Sequence, residues 1–423
     1  MNSIKILFFL TLLLSNNVKS DSFTEFFLKN NHKILNEEKE LVTPVSIENK
    51  WYIISDIYFD LQRFRMGEEI DTDIFNENVE RTIDDIENDF ITGLNTYEKD
   101  ILVSILNSMI LYVNSSETSI GDFSRFRSNF RLSKNIEEKY GTVDSGFTYM
   151  LSSLVSVLFF QDSFWIKNIL GYKGDVKNSL KMLDYISDHG DLFKDESSLF
   201  LSKFYSNILL DHISSLRYTS KLILSYPKSK YIRYLYAVDL YHTGKIKGSY
   251  EYFSQVNSEL SDQYYPFEYS SLIYEIKCLL LLDKGYLAEE VINYAKQIHE
   301  GYLLEELKKW KLSLDRRKEI VYRFEELNFR DIQDITKNDN DKKVTLNILF
   351  DHGYYEEVLG SYSEDKSNEL MILYLRTAVI LKRYDIAERI FEMLKNDYEN
   401  ILEEHPDKGR LKLLRNYVVN VLQ

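Results

Sequence analysis

The stretch 235–256 reads LYAVDLYHTGKIKGSYEYFSQV and contains two helix-like segments on either side of a turn glycine. Its pattern is a small residue, an apolar residue, the turn glycine, a second small residue and an aromatic one, at Ala237, Leu240, Gly244, Ser249 and Phe253. Spacings of three and four residues place each pair on one side of a helix. Small residues let two helices approach closely, and the aromatic ring then fills the adjoining groove. The stretch therefore predicts a hairpin of two antiparallel helices.

The same pattern can be placed twice more along the chain. It falls on Leu346, Leu349, Gly353, Val358 and Tyr362, and again on Leu375, Ala378, Lys382, Ala387 and Phe391. The three copies begin at 237, 346 and 375, so the predicted repeats are unevenly spaced and degenerate.

The rest of the chain also favours helices. An apolar stripe with spacings of three and four residues runs through Ile47, Trp51, Ile54, Tyr58, Leu61 and Phe64. Only 4 Pro and 15 Gly occur in 423 residues, which argues against an all-β protein with many tight turns. Short breaks between the periodic segments favour antiparallel neighbours. We therefore predict an all-α array of helical hairpins, with an N-terminal helical region at 21–140 and a repeat region at 141–423.

The repeated pattern of small, apolar and aromatic residues around a turn, which we call the ladder, resembles the tetratricopeptide repeat (TPR). The order of features over about 145–300 is similar to the family of the inclusion-body clearance protein, a mitochondrial outer-membrane TPR protein with bacterial relatives. The features are an apolar helix, the step Tyr172-Lys173-Gly174-Asp175, an amphipathic helix, the segment 226–229 and then the repeat. The chain departs from the family pattern at Val176, where Arg is usual, and at Ser249, where Ala is usual. The resemblance implies a right-handed α-solenoid with a concave groove lined by the first helix of each pair.

Residues 1–20 have the plan of a secretory signal. A lysine precedes the apolar run Ile6–Leu14, and small or permissive residues precede a predicted cut after Ser20. The apolar run is far shorter than the ~20 residues that span a bilayer, so no membrane span is expected once the signal is removed. A retained anchor is the alternative. We predict export to the periplasm or cell envelope of a bacterium.

The charge of the chain limits its partners. It has 52 Lys+Arg and 67 Asp+Glu, a formal net charge of −15. A strongly acidic surface repels phosphate backbones, so nucleic acid is not an expected partner. The basic residues between 308 and 318 are interpreted as a solvated helix face.

No catalytic or metal-binding pattern stands out, and no cofactor is predicted. The seven His residues include no pair at the i, i+4 spacing of a helical metal site. The single cysteine, Cys278, lies in an apolar segment and is predicted to be a buried thiol. The step 171–175 is interpreted as a helix end followed by a cap at Asp175. The polar run 338–341 lacks the Gly and Glu of a calcium loop and is predicted to be a loop.

Tyrosine is unusually frequent, with 32 residues. Laid on the TPR pattern, the groove-facing residues of the first helix are Tyr231, Tyr234, Val238, Tyr241 and His242. Their rings suit recognition of a peptide or stacking on a sugar. The alternative is aromatic packing between the helices themselves.

The sequence thus favours a non-enzymatic, exported TPR-like scaffold or adaptor that binds a protein or peptide partner. Two alternatives stay open. One is a glycan-binding helical protein of the cell surface, suggested by the tyrosines. The other is a helical-toroid enzyme that cleaves polysaccharide with paired carboxylates.

Overall fold

The structure, a computed structural model, describes most of the chain between residues 57 and 419. The described residues are 57, 60–61, 70–91, 94–114, 120–160, 175–190, 193–258, 266–282, 284–298, 339–351, 353–362, 368–394 and 413–419. Within these ranges all regular structure is helical, without a strand, which confirms the predicted all-α class. None of the helices in the described part combines the length and apolar character that crossing a bilayer requires.

Two compact units divide the chain. The first comprises Met1–Ile208, Leu224–Ser229 and Leu402–Gln423, and the second comprises Leu209–Ile223 and Lys230–Ile401. The boundary predicted after residue 140 stays a prediction.

The helices of the first unit pack on one another in chain order. They are α1 (Thr72–Glu87), α2 (Thr96–Val113), α3 (Ile120–Tyr140), α4 (Phe147–Phe160), α5 (Val176–His189) and α6 (Lys194–Lys203). The side chain of Asp175 caps α5 by accepting a hydrogen bond from the backbone N–H of Asn178 at 2.9 Å, as predicted for this residue. Phe147 stacks on Phe193 with ring centroids 4.4 Å apart, which joins the start of α4 to the residue before α6. A π-helical turn, Phe204–Leu209, follows α6.

The described helices of the second unit form successive hairpins. After α7 (His212–Ser225), whose last two residues belong to the first unit, they are α8 (Lys230–His242), α9 (Ile246–Ser258), α10 (Pro266–Leu281), α11 (Gly285–Ile298), α12 (Asp339–Asp351), α13 (Tyr355–Gly360), α14 (Asn368–Ile380) and α15 (Tyr384–Leu394). Helix α9 packs against both α8 and α10, and α8 also touches α10 directly. Three consecutive helices thus share one interface region.

The turns of three hairpins have the same geometry. Gly244, Gly353 and Lys382 all have positive φ angles, of 76°, 82° and 58°. In each case the following backbone N–H bonds a carbonyl five residues back, as in Lys245 N to Leu240 O at 2.9 Å and Arg383 N to Ala378 O at 2.7 Å. This is the Schellman ending of a helix, which needs a left-handed residue at the turn. The sequence pattern places its turn position at these same three residues.

The ladder positions around those turns are mostly buried. Ala237, Ser249 and Phe253 are each 0% exposed, and Leu346, Val358 and Ala387 are too. Only Tyr362 among the ladder side chains is half-buried. The hairpin prediction is therefore confirmed at these helices, whereas their arrangement as a solenoid stays a proposal.

The α10–α11 hairpin carries the same pattern, which the sequence analysis did not include. Ile276, Leu279 and Ala288 are at most 1% exposed and have the spacing of Ala237, Leu240 and Ser249. The backbone N–H of Lys284 bonds the Leu279 carbonyl at 2.9 Å. The signal is weak in sequence because Asp283 stands at the turn position where two other copies have Gly.

One predicted loop is wrong. The run 338–341 was expected to be a loop, but α12 begins at Asp339. Acidic residues in a first helical turn are favoured by the helix dipole, so this composition also suits a helix start. The signal segment 1–20, the basic residues 308–318 and the step 171–174 lie outside the described residues.

Candidate functional site

The predicted groove residues all lie on α8, and contacts to α10 hold most of them. We call Tyr231, Tyr234, Val238, Tyr241 and His242 the α8 stripe. The rings of Tyr231 and Tyr234 lie 5.3 and 5.5 Å from the ring of Phe267 at the start of α10. About two turns further on, Tyr241 and His242 lie 5.0 and 5.9 Å from Tyr274. Val238 packs against the cluster that contains Ala237, Phe253 and Cys278.

Burial divides the stripe into two groups. Tyr241 is only 7% exposed. Tyr231, Tyr234, Val238 and His242 are half-buried, and every other residue of α8 is buried or half-buried as well. Since each ring is already packed, little rotamer freedom remains to be lost when a ligand binds.

A buried carboxylate lies on the same helix, one residue from the stripe. Asp239 is 1% exposed, and its carboxylate accepts hydrogen bonds from Ser215 Oγ at 2.7 Å and Thr219 Oγ1 at 2.8 Å. Its other oxygen lies 2.9 Å from Nδ1 of His212. The partners come from successive turns on one face of α7, at 212, 215 and 219. We call these four residues the Asp239 network; it fixes α7 on α8.

The Asp239 network continues into the stripe through two histidines. The ring of His212 stacks on that of His242 with centroids 4.1 Å apart and planes 11° from parallel. Nε2 of His242 lies 3.2 Å from the hydroxyl of Tyr274 on α10. The chain of contacts therefore runs from Asp239 through His212 and His242 to Tyr274.

Burial raises the pKa of Asp239 to about 7, and the hydroxyls of Ser215 and Thr219 partly oppose this shift. The nearby charge of Asp211 raises the pKa further.

A second polar group lies in the interface between α9 and α10. Nδ2 of Asn257 donates to Oε2 of Glu275 at 2.6 Å, and Glu275 is 5% exposed. Burial raises the pKa of Glu275. Nearby, Ser249 Oγ donates to the carbonyl of Ala237 at 2.8 Å, which ties α9 to α8.

Cys278 is 0% exposed, as predicted, and its Sγ lies 3.6 Å from Ser249 Oγ. Burial raises the pKa of this thiol to about 12. A thiolate is needed for nucleophilic attack or metal binding, and burial disfavours that form of Cys278.

Tyr241 and His242 were predicted from the sequence, whereas Asp239, His212 and Tyr274 were not. A signal was present for Asp239, since it is the only acid inside the apolar run 235–241. Its partners could not be found in the same way, because His212 lies 27 residues away and on another helix. Among the described residues, no group of three or more His, Cys, Asp or Glu could hold a metal ion.

Comparison of the chain with known protein families, with curated proteins and with solved structures finds no match. The resemblance to TPR proteins therefore rests on the residues and turns described above.

Proposed function

We propose that the protein is a non-enzymatic, exported scaffold or adaptor that binds a protein or peptide partner in the periplasm or cell envelope. We further propose that its hairpins belong to a right-handed TPR-like solenoid. The shared Schellman turns at Gly244, Gly353 and Lys382 support the second part.

The observation that carries the binding proposal is the half-buried row Tyr231, Tyr234, Val238 and His242. Tyrosine joins apolar area to a hydroxyl and is enriched among residues that dominate binding energy. Phe267 and Tyr274 hold three of these side chains in place. A ligand would therefore meet preordered rings on a rigid helix, which lowers the entropy cost of association.

The test begins with a crosslinked pull-down from the envelope fraction, using the full chain. Partner affinity is then measured for Tyr231→Ala and for a matched control, Tyr236→Ala. Both tyrosines are half-buried on α8, and each makes an edge contact with one ring, Phe267 at 5.3 Å or Tyr252 at 5.0 Å. They differ in direction, because Tyr236 faces α9.

We expect Tyr231→Ala to weaken binding by about tenfold or more, the usual effect of truncating a central interface tyrosine. Tyr236→Ala should change the affinity by less than about twofold, although it should lower the melting temperature about as much as Tyr231→Ala does. Equal effects of the two variants on affinity, or no stoichiometric partner at all, would contradict the proposal. Tyr241 is unsuitable for this test because its burial makes it part of the core.

A further inference from the structure

Four half-buried side chains of α8 lie in one line along the helix. They stand at 231, 235, 238 and 242, and spacings of four, three and four residues follow one side of a helix. We call Tyr231, Leu235, Val238 and His242 the outer row, which is about 16 Å long at 1.5 Å per residue. Leu235 was not among the groove residues predicted from the sequence.

Contacts to three other helices occupy the remaining sides of α8. The carboxylate of Asp239 contacts α7, the ring of Tyr236 contacts α9, and the ring of Tyr234 contacts α10. At 100° per residue, the outer row lies between the directions of Asp239 and Tyr234 around the helix. The outer row is therefore the side of α8 that lies between α7 and α10.

Helix α8 exposes none of its Lys, Arg or Asp side chains. Lys230, Arg233 and Asp239 are 4%, 9% and 1% exposed. The outer row itself consists of two aliphatic side chains, a tyrosine and a histidine. A ligand that fits this row is therefore apolar on the side that meets α8.

The segment around α8 is positively charged, although the chain as a whole is negative. Residues 209–258 contain seven Lys or Arg and three Asp or Glu, whereas the net charge of the chain is −15. Lys228 and Lys245, which precede and follow α8, are both exposed. Of the three acids, Asp239 is buried and Asp211 caps the first turn of α7. Charge complementarity therefore favours an acidic ligand.

The backbone of the ligand decides its form. The N–H and C=O groups along α8 bond within the helix, so α8 offers no edge with which an extended chain could pair. An extended chain would lose water from its own peptide groups, and the outer row provides only the Tyr231 hydroxyl and the His242 ring as partners. A helix satisfies its own backbone and carries apolar side chains at the same intervals of three and four residues.

We propose that the outer row binds an amphipathic helix of the partner protein, with an apolar stripe about three turns long and acidic residues on either side of it. The apolar stripe meets the outer row, and the acidic residues lie beside Lys228 and Lys245. This inference rests on the proposed function, because it names the class of segment that the same site takes.

Three synthetic peptides of about 16 residues provide the test. The first is an acidic amphipathic helix, with Leu at i, i+4, i+7 and i+11 and Glu and Ala elsewhere. The second has the same composition, in an order that spreads the leucines around the helix. The third keeps the first order, with Lys in place of Glu. Fluorescence anisotropy with the full chain at about 50 mM salt should give a Kd at least about tenfold lower for the first peptide than for the other two.

Two variants locate the first peptide on the outer row. Leu235→Asn should weaken its binding about tenfold, whereas Leu287→Asn, at a half-buried leucine of α11, should weaken it by less than about twofold. Lys228→Glu should weaken it about fivefold at low salt and by less than about twofold at about 0.5 M salt. Lys181→Glu, at an exposed lysine of the first unit, is the control for this charge reversal.

The outcomes separate this inference from the proposed function. Equal binding of all three peptides, with a loss of affinity in Tyr231→Ala, would overturn the acidic helix while the binding site stands. Binding of none of them would also overturn the inference, and attachment to phosphatidylglycerol vesicles that Lys228→Glu abolishes would then assign the surface to a membrane. An empty pull-down, with the first peptide bound through Leu235, would contradict the proposed function alone. Because Lys228 is exposed, its variant gives a decision even if Leu235→Asn does not fold.

Discussion

Replacing Glu275 with Gln is expected to stabilise the second unit at pH 8 but not at pH 4. The carboxylate of Glu275 lies between α9 and α10 and accepts hydrogen bonds from Nδ2 of Asn257 and from the side chain of Ser254. The amide oxygen of the same Asn257 is buried without a hydrogen-bond partner among the described residues. A glutamine could accept from Nδ2 and donate to that oxygen, so both ends of Asn257 would be paired.

The magnitude follows from the new hydrogen bond and the lost charge. Giving a partner to a buried acceptor contributes about 1 kcal/mol. Burial raises the folded pKa of Glu275 above its ordinary value of 4.5. Its contribution to stability is therefore complete below that value and is lost as the pH rises through the folded pKa. At pH 4 the protonated acid can donate like the amide, so the gain is near zero, whereas at pH 8 it is about 1 kcal/mol or more.

Melting curves of the full chain at pH 4, 6 and 8 provide the measurement. For a unit of ~150–250 residues, 1 kcal/mol corresponds to about 2–4 °C in Tm. Glu251→Gln is the control, because Glu251 is exposed on α9 and the same chemical change should have no effect beyond about 0.5 kcal/mol. A lower Tm for Glu275→Gln at pH 8 would refute the reasoning, since it would show that the buried charge itself stabilises the interface.

Three further predictions concern the hairpins. Phe253→Ala should cost about 3–5 kcal/mol in urea unfolding, because the ring is 0% exposed and stacks on Tyr274, whereas Tyr286→Ala, at 68% exposure, should stay within about 0.5 kcal/mol; similar losses would contradict the assigned core. Lys382→Gly should raise the free energy of unfolding by about 0.5–1 kcal/mol, because the φ angle of Lys382 is 58° and glycine adopts such angles without strain. Gly244→Ala should lower the free energy of unfolding by a similar amount. Urea titration of the two variants checks that the two changes have opposite signs. Cys278 should react with a thiol reagent at pH 8 only after denaturant is added; labelling of the native protein would show that the α9–α10 interface opens.

The hairpin turns could be predicted from sequence because their cause is local. A helix that ends in a Schellman turn needs a residue in the left-handed conformation, and glycine at 244 and 353 predicts that residue from the sequence. Lys382 could be placed only by counting from Ala378 and Ala387. The α10–α11 hairpin was not predicted because neither a glycine nor an aromatic residue marks it at the expected positions of the sequence.

The Asp239 network could not be predicted because its cause is not local. Whether Asp239 is solvated or buried depends on α7, and α7 presents Ser215 and Thr219, which are ordinary surface residues in sequence. The same holds for Tyr274, which joins His242 only because α8 lies directly against α10. Sequence periodicity identifies which side of a helix is apolar, but not which polar residues meet there.

These buried polar groups also explain how a tyrosine- and leucine-rich array can select one pairing of its helices. Apolar ridges alone allow a helix to shift by one turn along its neighbour at small cost, since one leucine replaces another. Asp239 does not allow this, because a shift of α7 would leave a buried carboxylate facing apolar side chains, at a cost of about 3–5 kcal/mol. Glu275 with Asn257 and Ser249 with the Ala237 carbonyl impose the same condition on α9. The polar contacts therefore contribute less to total stability than to the choice of register between neighbouring helices. Replacing both partners of one contact with apolar residues should yield a stable protein whose helices no longer keep a single register.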